Sequence, residues 1–311
     1  LISTYPQKNI SYYDILYAFI NQFFELFDDF ILYKKKFKNY FHVIKKRLTN
    51  QYPIEVTLIN GKQIIVKNIF QLRIQKWWNE NFCSIDNNLL IISSSHLPKV
   101  KFVGWEKNGD VGSIFFGNEY EWLPVKGKTV IDIGANIGDS SIFFALKGAK
   151  KIIAFEPSPT NYNLAVENIK INNFDSKIEI RLAGCSNKRG NILIDDEEGG
   201  ILYFLEEKSR LGVKIPLIPL GDIISNIQTE HLVLKMDCEG CEYDSIMNTE
   251  NDVLKKFSHI QIEYHFGYRN LKEKLVKCGF NVSVTRPRLG KKLSQKKTQS
   301  FVGQIYAYKK F

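Results

Sequence analysis

The 311-residue chain has five cysteines, and their spacing makes no disulfide framework. An odd, scattered set argues for a reducing compartment and against a small secreted scaffold held by bridges. No secretory signal with a small-residue cleavage site is visible, although the chain opens on Leu1, which limits any targeting argument. A membrane-spanning run is missing as well: Asn21, Gln22, Glu25, Asp28 and Asp29 interrupt the apolar stretch between Ser11 and Leu32. No internal repeat stands out. Acids are absent from two segments that carry much of the net charge of +10. The first holds Lys34, Lys35, Lys36, Lys38, Lys45, Lys46 and Arg47, and the second runs from Arg286 to Lys310 with eight basic residues. Such runs favour an anionic partner, whether a phosphorylated glycan, a lipid surface or nucleic acid, against the plainer reading of a solvated basic surface.

With 44% hydrophobic and 24% charged residues, the remaining composition is that of an ordinary soluble globular protein. The natural partition is an N-terminal extension over 1–100 and a main domain over 101–311. In the extension, Leu16, Phe19, Ile20, Phe23, Phe27, Phe30 and Ile31 repeat at three and four residue steps, which predicts an amphipathic helix over Ser11 to Leu32. Followed by the basic run, that helix suits peripheral attachment to an anionic membrane surface, or packing on its own domain or a partner. Ile54 to Val66 predicts a hairpin about Asn60-Gly61, and Asn68 to Phe82 a helix. Strands are expected near Val100 to Val103 and Ser113 to Phe116.

The main domain alternates strands and helices as a parallel sheet requires. Val130 to Gly138 reads as a buried β-branched strand, then a turn in which Gly134 and Gly138 free the backbone, then a helix over Ser140 to Lys147. The spacing is not the G-x-G-x-x-G of a dinucleotide site. A second strand, Lys151 to Phe155, ends in Glu156, 22 residues after Gly134, where an acid is expected to bind ribose hydroxyls. A helix over Asn161 to Ile171 and a strand over Lys177 to Leu182 follow. Residues Gly190 to Leu205 suggest a hairpin about Gly199-Gly200. Further strands are expected at Leu232 to Met236, ending at Asp237, and at His259 to Ile262, ending at Glu263. Two late strands, Phe280 to Val284 and Phe301 to Tyr308, complete the sheet.

Asp-x-Gly-x-x-x-Gly followed by a strand-end acid resembles the cofactor site of class I S-adenosylmethionine-dependent methyltransferases. Three blocks narrow the resemblance to the FkbM family: Val130-Ile-Asp-Ile-Gly-Ala-Asn-Ile-Gly-Asp139 continuing to Ala154-Phe-Glu-Pro157; Leu234-Lys-Met-Asp-Cys-Glu-Gly-Cys-Glu-Tyr243; and Glu263-Tyr-His265. Together they cover about two thirds of the chain. The resemblance implies a Rossmann-like α/β fold with a mostly parallel seven-stranded sheet, helices on both faces and an antiparallel last strand. It also implies S-adenosyl-L-methionine as donor and commonly an oxygen acceptor on a sugar, lipid or natural product. Asp132, Gly134, Asn136, Gly138, Glu156, Ala183 and Asp237 are the expected donor contacts. Cys238 and Cys241 depart from the family, which usually has small or aliphatic residues there. Taken alone the pair would suit a redox dithiol or half a metal site, but a tetrahedral zinc site needs two more ligands, and Cys83, Cys185 and Cys278 are scattered.

For methylation of a hydroxyl, His265 is the first candidate base, with Asp237 and Glu239 second. Each has a plainer reading: Asp237 as a helix cap or a holder of the donor's amino group, Glu239 with Glu242 as support for a helix N-terminus, and His265 as a structural histidine. Asp237 with Glu239 or Glu263 would offer oxygen ligands to Mg²⁺ at these strand ends, but sequence does not fix their separation, and no metal is assigned. The Asp/Asn-Pro-Pro-Tyr sequence typical of amino-nitrogen methylation is absent after Met236. The expectation is a cytoplasmic O-methyltransferase acting on a sugar, glycan or glycolipid intermediate. The rivals are an RNA methyltransferase and a non-catalytic binding protein that keeps the fold.

Overall fold

A computed structural model describes residues 9–77, 82–94, 97–106, 110–194, 212–225, 227, 232–292 and 299–309. The chain divides into two compact units, one of Phe19–Asn118 and one of Leu1–Ala18 with Glu119–Phe311. The boundary read from sequence near residue 100 thus lies within the first of these.

Helix α1 (Tyr12–Lys36) realises the amphipathic stretch and runs from one unit into the other. Tyr12, Tyr13, Phe19, Phe23, Phe24 and Phe27 along it are all more than half exposed. No helix among the described residues is long and apolar enough to cross a membrane. The unit Phe19–Asn118 continues with α2 (Tyr40–Leu48), the hairpin β1 (Ile54–Thr57) and β2 (Gln63–Val66), and α3 (Ile69–Trp77). An antiparallel sheet follows, of β3 (Cys83–Asp86), β4 (Leu89–Ser94) and β5 (Leu97–Phe102), then α4 (Asp110–Phe116). The strand expected at Ser113 to Phe116 is this helix instead. Val111, Ile114 and Phe115 are buried at helical spacing, and Asp110 suits the first turn. Tyr33, Phe37, Val43, Ile54, Val56 and Leu72 form the core of the unit.

In the other unit the order is β6 (Thr129–Ile133), α5 (Asp139–Leu146), β7 (Lys151–Glu156), α6 (Pro159–Ile171), β8 (Ile178–Leu182), β9 (Gly184–Ser186), β10 (Gly190–Ile194) and β11 (Val213–Pro219). Next come α7 (Leu220–Ile224), β12 (Leu232–Met236), α8 (Cys241–Asn248), α9 (Asn251–Leu254), β13 (Phe257–Tyr264), α10 (Arg269–Lys277), β14 (Asn281–Val284), β15 (Arg288–Lys292) and β16 (Gln299–Tyr308). The main sheet runs β14-β16-β13-β12-β6-β7-β8, with β15 added to β16. Neighbours from β13 through β12, β6 and β7 to β8 are parallel, whereas β16 is antiparallel to both β13 and β14. This is the expected mostly parallel seven-stranded sheet with one extra strand. β10 pairs antiparallel with β11, which lies beyond the hairpin expected over Gly190 to Leu205, and the turn at Gly199-Gly200 lies outside the described residues.

Alternation along the central strands buries both faces. Ile131, Ile133, Ile153, Phe155, Leu234, Met236, Ile260 and Ile262 share one core with residues of α7, α8, α9 and α10. Val130, Ile152, Ala154 and Val233, which alternate with these, are also buried. A polar row crosses that second face: Asp132 on β6 is in register with Lys235 on β12, which is in register with Gln261 on β13.

Candidate active site

The carboxyl ends of β6, β7 and β12 are joined through backbone. Gly134 and Ala135 donate their N–H groups to Phe155 O at 2.9 and 3.0 Å, and Asp237 donates to Ile133 O at 3.0 Å. Gly134 has φ 79°, and a Cβ there would stand 1.8 Å from Asp237 O. Only glycine allows the turn after β6 to lie so close to the end of β12. Asn136 also has a positive φ of 51°, and Gly138, at φ 83°, opens α5 within 3.2 Å of Ala165 as measured from its would-be Cβ.

Glu156 closes this turn. Its Oε2 accepts the Asn136 N–H at 2.8 Å and its Oε1 accepts the Ser158 N–H at 2.9 Å. Burial raises its pKa to about 7 against the lowering effect of those two backbone N–H groups. Ala183 is buried between β8 and β9, in the core beside Phe155.

Asp132, an expected donor contact, is engaged beneath this turn. Its carboxylate is wholly buried, with Oδ2 accepting Ser140 and Ser141 hydroxyls at 2.7 and 2.6 Å and Oδ1 lying 3.1 Å from Lys235 Nζ. Lys235 also donates to Gly134 O at 2.6 Å. Burial disfavours the ammonium, yet Asp132 and Asp237 outweigh it and hold the Lys235 pKa above its ordinary value. Asp132 and Lys235 therefore hold the glycine turn in place from beneath.

The second and third sequence blocks meet at His265. This side chain is 6% exposed, and its Nδ1 lies 2.8 Å from Oε1 of the fully buried Glu242. The same oxygen accepts the His265 backbone N–H at 3.2 Å, while Glu242 Oε2 accepts the Gly240 N–H at 2.9 Å. On the other side of the ring, Nε2 faces Glu239 Oε2 at 3.2 Å and Asp237 Oδ1 at 3.7 Å. Glu239 sits at φ 56°, a conformation that is strained for a residue with a Cβ. Burial lowers the histidine pKa, but Glu242 and Glu239 override it and push it well above the ordinary value. These contacts place His265, Asp237 and Glu239, the three candidate bases, side by side, with the carboxylates favouring the charged form of the ring.

Glu263 lies inside β13 rather than beyond it, paired with Arg288 at 2.9 Å. Burial and nearby Asp237 raise its pKa well above the carboxylate range. Tyr120 is buried close to the same acids, and burial followed by Glu119, Asp237 and Glu263 drives its phenol up. Nothing in local spacing pointed to Tyr120. Glu242 was visible in sequence only as support for a helix start. Its partnership with His265 spans 23 residues and depends on how β13 returns beside α8. Cys238 and Cys241 are joined in a disulfide in the turn that opens α8, whereas Cys83, Cys185 and Cys278 remain thiols. The pairing departs from the all-thiol state that a reducing compartment implies, and it leaves these sulfurs no part in a zinc site.

A mostly parallel sheet with a glycine turn after its central strand and acids grouped at adjacent strand ends defines a class I methyltransferase fold. Residues 132–282 match the family described as Methyltransferase FkbM domain. Among curated proteins, the chain is similar to protein 158B of Sulfolobus islandicus rod-shaped virus 1, with 30% identity over 47% of this chain and 66% of that one. It is also similar to the ribosomal protein L11 methyltransferase of Carboxydothermus hydrogenoformans, at 43% identity over 17% of this chain and 18% of the relative. The chain thus spans less than two thirds of either relative's length. Of solved structures, the tRNA m1G37 methyltransferase of M. jannaschii aligns with a TM-score of 0.40 and 15% identity over 73% of this chain and 59% of that one.

Proposed function

We propose that the protein transfers the methyl group of S-adenosyl-L-methionine to a hydroxyl oxygen of a sugar, glycan or glycolipid intermediate. The observation that carries this reading is the grouping of Asp237, Glu239 and His265 against the turn at Gly134. On this reading, Gly134, Asn136 and Gly138 shape the donor pocket and Glu156 accepts the ribose hydroxyls. Ala183 borders the adenine, and Asp237 lies where the donor's ammonium or the acceptor would meet it. An oxygen lone pair of the acceptor forms the new bond to the methyl carbon, and the C–S pair leaves with sulfur as neutral S-adenosylhomocysteine. The hydroxyl proton passes to Asp237 or Glu239, with His265 holding both in position.

The exposed aromatic row of α1, next to the basic residues that end it, supports an acceptor carried at an anionic lipid surface. Calorimetric titration with S-adenosylmethionine and S-adenosylhomocysteine tests the donor half of the proposal. Micromolar binding lost in Glu156→Ala supports it, and no binding by a folded sample removes it. Methyl incorporation into a glycan and glycolipid pool tests the acceptor. Incorporation into RNA instead, with an affinity that falls steeply with salt, would favour the nucleic-acid reading.

A further inference from the structure

We infer that Asp237, Glu239 and His265 form a binding site for one divalent first-row cation. The three side chains offer two carboxylate oxygens and one ring nitrogen, all within 4.8 Å of one another. Cis ligands on an octahedral cation with bonds of about 2.1 Å are roughly 3 Å apart. The Nε2 separations of 3.2 and 3.7 Å from Glu239 and Asp237 are therefore close to those of donors placed cis on one cation, with the remaining positions left to water or a substrate oxygen.

Two features favour a cation over a merely structural cluster. First, the nitrogen is aimed and fixed from behind. Glu242 holds Nδ1 at 2.8 Å and is itself anchored by the Gly240 N–H, which is the carboxylate–histidine arrangement that orients imidazole ligands toward metals. Second, the acids outnumber the cations beside them. Asp237, Glu239 and Glu242 surround one ring, and the neighbouring Lys235 is already committed to Asp132 and Gly134. A ligand ammonium would pair with the carboxylates through its N–H groups, whereas a metal ion would bond to the Nε2 lone pair left once the ring gives up its Nε2 proton. The mixed set of imidazole and carboxylate matches Mn²⁺, Fe²⁺ or Zn²⁺ better than Ca²⁺, which takes oxygen alone.

The cation's role, unlike its binding, rests on the proposed methyl transfer. An acceptor hydroxyl on the open face would become more acidic, and its proton would go to the uncoordinated oxygen of Asp237 or Glu239. Mn²⁺ is the probe. Protein dialysed against chelator is titrated with Mn²⁺ while free ion is followed by electron paramagnetic resonance, and the bound ion is examined for ¹⁴N hyperfine coupling. The expected result is one Mn²⁺ per chain with nitrogen coupling, bound about tenfold or more weakly by Asp237→Asn and Glu239→Gln. No stoichiometric binding, binding without nitrogen coupling, or binding unchanged in both variants would overturn the inference. The coupling is read on the wild-type protein, so the test stands even where a variant fails to fold. Donor titration of the same sample separates the two proposals: donor binding without Mn²⁺ removes only the cation, and Mn²⁺ binding without donor removes only the transferase.

Discussion

At the scale of single residues, Glu156 makes the clearest demand on pH. Burial raises its pKa to about 7, so the folded protein without ligand holds this proton over a range in which the unfolded chain, near 4.5, has lost it. Stability associated with Glu156 is therefore complete below about pH 4.5 and falls as pH rises toward 7. Wild type should lose stability relative to Glu156→Gln across that window, as measured by urea unfolding at each pH. Ribose hydroxyls need the ionised form as acceptor, so donor affinity should rise from pH 6 to 8, with a proton released on binding below pH 7. Calorimetry in buffers of different ionisation enthalpy reads that proton directly. Glu242→Gln probes positioning instead. It should leave the donor dissociation constant unchanged, lower kcat by about 10–100-fold and shift the pH-rate profile, because His265 would lose the carboxylate behind its Nδ1.

At the scale of elements, the turn after β6 is the most constrained piece of chain in the site. Gly134→Ala would force a Cβ into Asp237 O and keep an unfavourable φ, costing roughly 2–5 kcal/mol by close-packing and backbone terms together. Denaturant unfolding measures that cost, and loss of donor binding should accompany it. Helix α1 makes a separate demand. Its exposed Phe23 and Phe27 should insert at an anionic lipid surface, so the protein should sediment with vesicles of phosphatidylglycerol but less with phosphatidylcholine. Phe23→Ser with Phe27→Ser should reduce sedimentation without altering donor affinity. Equal recovery with both lipids, or none with either, would refute the membrane role.

At the scale of the whole molecule, local patterns in the sequence determined much of the architecture. β-branched runs, the glycine turn and strand-end acids foretold β6, β7, β8, β12 and β13, and their alternation with helices foretold a mostly parallel sheet. Those signals are legible because side-chain periodicity and glycine conformation belong to adjacent residues. The Ser113 to Phe116 segment shows the limit: a short apolar run fits strand or helix alike, and packing within its own unit settled it as α4. The same limit applied at the site. The resemblance singled out Asp237, Glu239 and His265, but only the tertiary structure decided that Asp132 and Lys235 brace the turn while Glu242 orients His265. Cross-strand register and the return of β13 beside α8 bring together charges far apart in the chain, and burial then sets which of them pair and which remain to act on a ligand.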